Sequence, residues 1–203
     1  TVLTRNNIHQ LDYIMETAAR YGFLTTFQTL HHNEKLGGDT SGLMPSLDEY
    51  REALNRLLSM KLDGAPIANS TRYLRSLVRW PDFSKTRTEE RLHGVGCSAG
   101  RMYCNIDVDG RVYPCSLLMG IYPDALNALD VGFKRAFKAT YKLPCQACTA
   151  SCYTEYNFLY GLRIPVALQW SRAVARTDRE MERMAAKLDK DSSIRTDFNP
   201  RGG

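Results

Sequence analysis

The sequence predicts a mixed α/β chain in two unequal parts: a stretch of α/β sheet or barrel, then a small α+β cysteine-rich unit built on a β-hairpin. Three observations predict this. Strand-like and helix-like stretches alternate through residues 1–80. The charged run "WPDFSKTRTEERLHG" then breaks the apolar periodicity, which sets a connector over 81–95. Beyond it lie all six cysteines, three around the turn "DVDGRV" and three in "CQACTASC".

Taken in order, "TVLT" reads as a short strand, and Asn6 or Asn7 is placed to cap the helix that follows. That helix carries Ile8, Leu11, Met15 and Ala18 at helical spacing and stops at Gly22. "FLTTFQTLHH" is rich in β-branched and aromatic residues and predicts a second strand. The loop "NEKLGGDTSGLMP" is too rich in Gly and Pro for regular structure. Ser46 and Glu49 form a capping box that opens a helix through Tyr50, Ala53, Leu57 and Leu58, ending near Gly64. "APIA" is a brief strand, and Ser70 caps a helix containing Tyr73, Leu74, Leu77 and Val78. This rhythm is that of parallel strands joined by crossover helices. In the cysteine-rich unit, 96–162, a hairpin precedes a helix around "VGFKRAFKATY". An amphipathic helix over 163–190 carries a core-packing stripe of Trp170, Val174, Met181, Met184 and Leu188, and 191–203 reads as a loose tail.

Composition narrows the function classes. Hydrophobic content of 43% and charged content of 24% are ordinary globular values. Neither a transmembrane-length apolar run nor a signal-peptide pattern is present, so no membrane partner and a cytoplasmic location are expected. "TVLTRN" lacks a Met and starts inside a strand-like run, which suggests a piece of a longer chain. The net charge of +5 comes largely from Arg163, Arg172, Arg176, Arg179, Arg183 and Lys187, interleaved with Asp178, Glu180 and Glu182. Mixed signs at this density mark a solvated helix face and argue against nucleic-acid binding.

The cysteines carry the chemistry. Asp109-Gly110 signals a two-residue hairpin turn. In that register Val108 faces Arg111, and the pairing walks outward until Cys104 faces Cys115, with Cβ atoms roughly 5 Å apart. Cys97 lies just before the first strand, where the chain can fold back to the same end. Cys145 and Cys148 form a CxxC, whose tight turn lets two sulfurs reach one metal, and Cys152 follows. A disulfide framework fits the even count but not a chain so well supplied with core residues. A structural zinc site and an iron–sulfur cluster both take four thiolates and both favour CxxC, and spacing alone does not rank them.

"CSAGRMYCNIDVDGRVYPC" followed by "CQAC" resembles the auxiliary-cluster extension of radical S-adenosylmethionine (SAM) enzymes, the SPASM and twitch domains. Their hallmark is a Cys, a stretch ending in Gly, four residues and a Cys, then after a gap a CxxC. The matching positions are Cys97, Gly110, Cys115, Cys145 and Cys148. "TVLTRNNIHQLDYIMETAARYGFLTTFQTLHH" is similar to the later strands and helix of the radical SAM partial (β/α) barrel. The resemblance implies one auxiliary [4Fe–4S] cluster on Cys97, Cys115, Cys145 and Cys148, with Cys104 and Cys152 as alternates. Six cysteines favour the one-cluster twitch form over the two-cluster SPASM form. The family's defining CxxxCxxC loop is absent, and Cys145, Cys148 and Cys152 run CxxCxxxC in the wrong domain to replace it. The chain therefore resembles the C-terminal half of such an enzyme and is expected to be inactive alone. In the full-length enzyme the resemblance implies SAM, a second [4Fe–4S] cluster, a small-molecule or peptide substrate, and a reductant protein such as a ferredoxin or flavodoxin. The rival expectation is a non-enzymatic zinc-binding interaction module.

The remaining candidates are weaker. His31 and His32 end the second strand, at the edge where α/β folds hold their sites. Gln28 and His31 stand three apart, so a regular strand would point them to opposite faces. Gly37-Gly38 reads as flexible rather than as a phosphate loop. Tyr103 and Tyr113 flank cysteines and read as shielding.

Overall fold

β1 (Val2–Leu3) and β2 (Gln28–Thr29) pair in parallel, Val2 opposite Gln28 and Leu3 opposite Thr29. Parallel neighbours need a crossover, and α1 (Leu11–Tyr21) supplies it. These features belong to a computed structural model that describes residues 1–31 and 39–195, with side chains through residue 179. α2 (Leu47–Leu62) carries the chain to Ile67, which forms a parallel bridge with Thr25. Three extended segments thus run parallel with a helix between each pair. Where their backbone pairing ends, the buried Asn69 amide continues it, accepting from Phe27 N at 2.6 Å and donating to Phe27 O at 3.1 Å. The chain is a mixed α and β protein whose sheets, among the described residues, have two strands each.

The helix signals differ in how they hold. The Ser46–Glu49 capping box forms in full, and Ser70 caps α3 (Thr71–Val78) by accepting from Tyr73 N at 3.1 Å. Asn7 does not cap α1. It closes the preceding turn instead, accepting from Thr4 N at 2.8 Å and donating to Val2 O at 2.9 Å. The helix starts later, at Leu11, and Ile8 is buried from that turn rather than from the helix. Gly22 ends α1 in the left-handed region at φ 70, as a terminal glycine does.

The charged connector is more than a tether. Trp80 and Phe83 are buried in the main core, and β3 (Arg87–Thr88) pairs antiparallel with β6 (Ala147–Cys148). The same core takes Ala147, Phe158 and Val166 from the far end of the chain. α4 (Ala128–Val131) and α5 (Phe133–Ala139) break at Gly132, and α6 (Ser151–Tyr160) follows β6. α7 runs Ile164–Arg195, so the first residues of the expected tail are helical. Trp170 packs on the core, whereas Val174 is exposed; Met181, Met184 and Leu188, like His32 and Gly37-Gly38, lie outside the described residues or side chains. No described helix is long and apolar enough to cross a membrane.

The hairpin of β4 (Asn105–Ile106) and β5 (Val112–Tyr113) corrects the expected register. Asn105 faces Tyr113 and Ile106 faces Val112. Asp107 N bonds Arg111 O, which leaves Val108, Asp109 and Gly110 as a three-residue loop with Gly110 at φ 87. The Asp107 carboxylate accepts from Val108 N and Asp109 from Arg111 N, both favouring the longer turn. A slip of one residue reverses the face of every side chain. Cys104 is thereby displaced from the face of Cys115, and Tyr103 lines the same space as Cys115 instead.

Candidate functional site

Three separated segments converge on one small space. Cys97, Cys115, Cys145 and Cys148 line one narrow void, whose free volume is only about 10 Å³, together with Arg87, Ala99, Tyr103, Leu117, Ala147 and Tyr153. Cys104 and Cys152 do not line it; Cys104 is half-buried and Cys152 exposed. All six are free thiols. Burial pushes Cys145 up to about 11 and Cys115 up to about 12, and it raises Cys148 further. Proximity adds to this: the charge of Cys97 acts on the other three, and that of Cys115 on Cys148. For Cys104 and Cys152 burial alone raises the thiol, with no cysteine neighbour contributing. Electrostatically, then, four thiols form a group and two stand apart.

α6 is the spine that holds this group. Near its start, the Tyr153 hydroxyl accepts from Ser116 N at 3.0 Å and donates to Ser116 Oγ at 2.8 Å, fixing the residue after Cys115. Thr154 Oγ1 donates to the Cys148 carbonyl at 2.9 Å, which also accepts from His93 Nε2 at 2.8 Å. Asn157, fully buried, accepts from Ser98 N at 2.7 Å and fixes the residue after Cys97. The Cys145–Cys148 segment is also clamped by the connector: Gln146 N bonds Thr88 O and Thr149 N bonds Thr86 O, on either side of the Ala147–Cys148 pairing. Gly100 makes the Cys97 loop possible. At φ 70 it packs so closely that a Cβ there would lie 2.2 Å from the Thr140 carbonyl.

Compared with known proteins, the chain matches no family model, no curated protein and no solved structure.

Whether these residues suit a bound metal group can be judged from the site itself. Among the described residues, no three His, Cys, Asp or Glu side chains are close enough to grip a single ion. A lone tetrahedral zinc at Zn–S ≈ 2.3 Å needs sulfurs about 3.8 Å apart. The four thiols nevertheless line one space, and its donor set is all sulfur. One buried polar atom also lacks a partner here: the Tyr103 hydroxyl, against the cavity. Burial raises its pKa, and Cys97, Cys148 and Cys115 add to that, so it sits among the thiols. A buried O–H without an acceptor is costly, and a sulfur anion in the void would accept it. Arg87, the one charged residue of the lining, lowers the Cys145 thiol and would offset part of a bound group's negative charge.

The weaker candidates also meet this region. Gln28 Oε1 accepts from Ser151 Oγ at 3.4 Å, and His31 engages the Thr149 backbone while its Nε2 is buried without a partner. Both therefore reach the segment that follows Cys148, because the strand ends at Thr29 and alternation stops there. Sequence reasoning missed Arg87, His93, Tyr153, Thr154 and Asn157. The available signal was in "SCYTEYNF", where polar residues occupy successive helix positions that a packed helix must bury.

Proposed function

We propose that this chain is the auxiliary-cluster part of a radical SAM enzyme, in which Cys97, Cys115, Cys145 and Cys148 hold one [4Fe–4S] cluster. The observation that carries the reading is the convergence of these four thiols on one apolar-walled void, with Cys104 and Cys152 left outside it. The three parallel segments through Ile67 would then be late strands of the partial barrel. Gln28 and His31, where β2 ends, would face its substrate, a small molecule or a peptide. When bound, such a cluster, with a thiolate on each of its four irons, would supply an electron-transfer centre and a clamp between the segments that hold it. The protein's own part is to present four thiolates, to donate one hydrogen bond from Tyr103, and to exclude water with Ala99, Leu117, Ala147 and the two tyrosines. A reductant such as a ferredoxin or flavodoxin belongs to the same reading, as do SAM and the second cluster of the complete enzyme.

Anaerobic reconstitution with iron and sulfide decides between this and a zinc module. About four irons and four sulfides per chain, with broad visible absorbance bleached by dithionite, are expected. Stoichiometric zinc, retained without colour, would overturn the reading.

A further inference from the structure

A second cavity lies away from the thiols and has a different chemistry. It encloses about 620 Å³ between α3, the start of α7 and the loop at Leu92–Gly94. Its lining includes Arg72, Arg75, Arg79 and Arg163 and not one acidic residue. Among the described residues none of these four arginines is ion-paired. The pattern follows from α3 itself. Tyr73, Leu74 and Leu77 are buried on one face, while Arg72, Arg75, Ser76 and Arg79 recur at i, i+3, i+4 and i+7 on the other. An ordinary solvated face carries both signs, as α2 does with Asp48, Glu49, Arg51, Glu52 and Arg56. That of α3 carries cations alone.

Two of the guanidiniums are held in place. Arg72 donates to the His93 carbonyl and Arg163 to the Gly94 carbonyl, each at 3.1 Å. Arg72 also lies over the Phe158 ring, 5.2 Å from its centroid. Each guanidinium has five donors, so one bond to the loop fixes the fork and leaves the others for a ligand. Gly94, at φ 68, gives the loop the bend that presents two successive carbonyls to the two arginines. The stripe from Arg72 to Arg79 extends about 10 Å along the helix. Gathering like charges at this density is unfavourable unless an anion meets them.

We propose that this cleft binds a small ligand bearing a linear chain of two or more phosphoryl groups. Arginine forks match phosphate oxygens two at a time, and the volume is that of a small-molecule site. The chain of phosphates lies along Arg72, Arg75 and Arg79, Arg163 closes over one end, and Leu92 and Pro165 face the ligand's carbon portion. This assignment is independent of the iron–sulfur reading.

Calorimetric titration of inorganic tripolyphosphate into the 203-residue chain tests it. The expected result is one site of micromolar Kd at low salt, weakened at least tenfold in the Arg75→Ala/Arg79→Ala variant. Arg51→Ala, an exposed arginine on α2, should bind as the parent does. Arg75 and Arg79 are exposed and anchor nothing, so the double variant should melt at the parent's temperature. Equal binding by the double variant would overturn the proposal. So would citrate binding as tightly as tripolyphosphate, which would reduce the cleft to unspecific charge. A single-stranded oligonucleotide binding more than tenfold tighter would overturn it too, in favour of a nucleic-acid surface.

Discussion

Tyr103 and Cys104 are adjacent in sequence, yet only the tyrosine faces the four thiols. Strand alternation permits one or the other, and the three-residue turn at Val108–Gly110 selects the tyrosine. Single Cys→Ser changes should divide accordingly. Those at Cys97, Cys115, Cys145 and Cys148 should lose iron and solubility, because binding energy at such a site is folding energy. Cys104→Ser and Cys152→Ser should keep both, at a cost of about 1 kcal/mol or less. Iron retained by Cys148→Ser but lost by Cys104→Ser would reverse the assignment. Tyr103→Phe is a finer probe. It should leave the iron content unchanged and move the midpoint potential to a more negative value, since a hydrogen bond to sulfur favours the reduced, more negative state. An unchanged potential would mean that the hydroxyl meets no cluster sulfur. The grouping of these four thiols came from the family resemblance, since hairpin pairing alone put Cys104 beside Cys115. The hairpin register was not legible in the sequence, because "DVDGRV" suits a two-residue and a three-residue turn alike, and the aspartate side chains decide between them.

At the level of elements, α6 unites functions that its sequence disguises. One side holds the cysteine segments through Tyr153, Thr154 and Asn157. Glu155, fully buried, turns the other way and accepts from Ser70 N at 2.6 Å and Trp170 Nε1 at 3.3 Å. This single carboxyl joins the start of α3 to α6 and α7. Burial raises its pKa, against the pull of the Ser70 and Trp170 bonds and of the Lys61 charge. A raised carboxyl contributes fully while pH is below the unfolded value, and the contribution is lost as pH climbs through the folded value. The stability of the parent relative to Glu155→Gln should therefore fall as pH rises above the ordinary carboxylate range, read from urea midpoints. A difference that stays constant with pH would show that Glu155 is ionised throughout. Helix caps at Ser46 and Ser70 were readable because capping is local. Glu155 and Asn157 were not, since their partners lie 85 and 59 residues away.

For the whole molecule, the main core spans Leu3 to Val166 and takes residues from the charged connector. Low apolar periodicity there hid Trp80 and Phe83, two large anchors that stand alone in a charged run and are too few to make a helical or strand pattern. Within the 203 residues no CxxxCxxC occurs, so this chain with SAM and reductant should release no 5′-deoxyadenosine above background. Turnover measured by chromatography would show that its cysteines do more than proposed. The pairing of Arg87 with Cys148 has a consequence for biosynthesis. On the ribosome the Cys97 and Cys115 thiols emerge first, and the β-partner that closes their ring comes last. At ~5–20 residues/s the interval from Cys115 to Cys148 is roughly 2–7 s. Through that window two soft nucleophiles stand open to oxidants and stray metals, and nascent chains stalled before Cys145 should be the species most readily captured by a thiol-alkylating label.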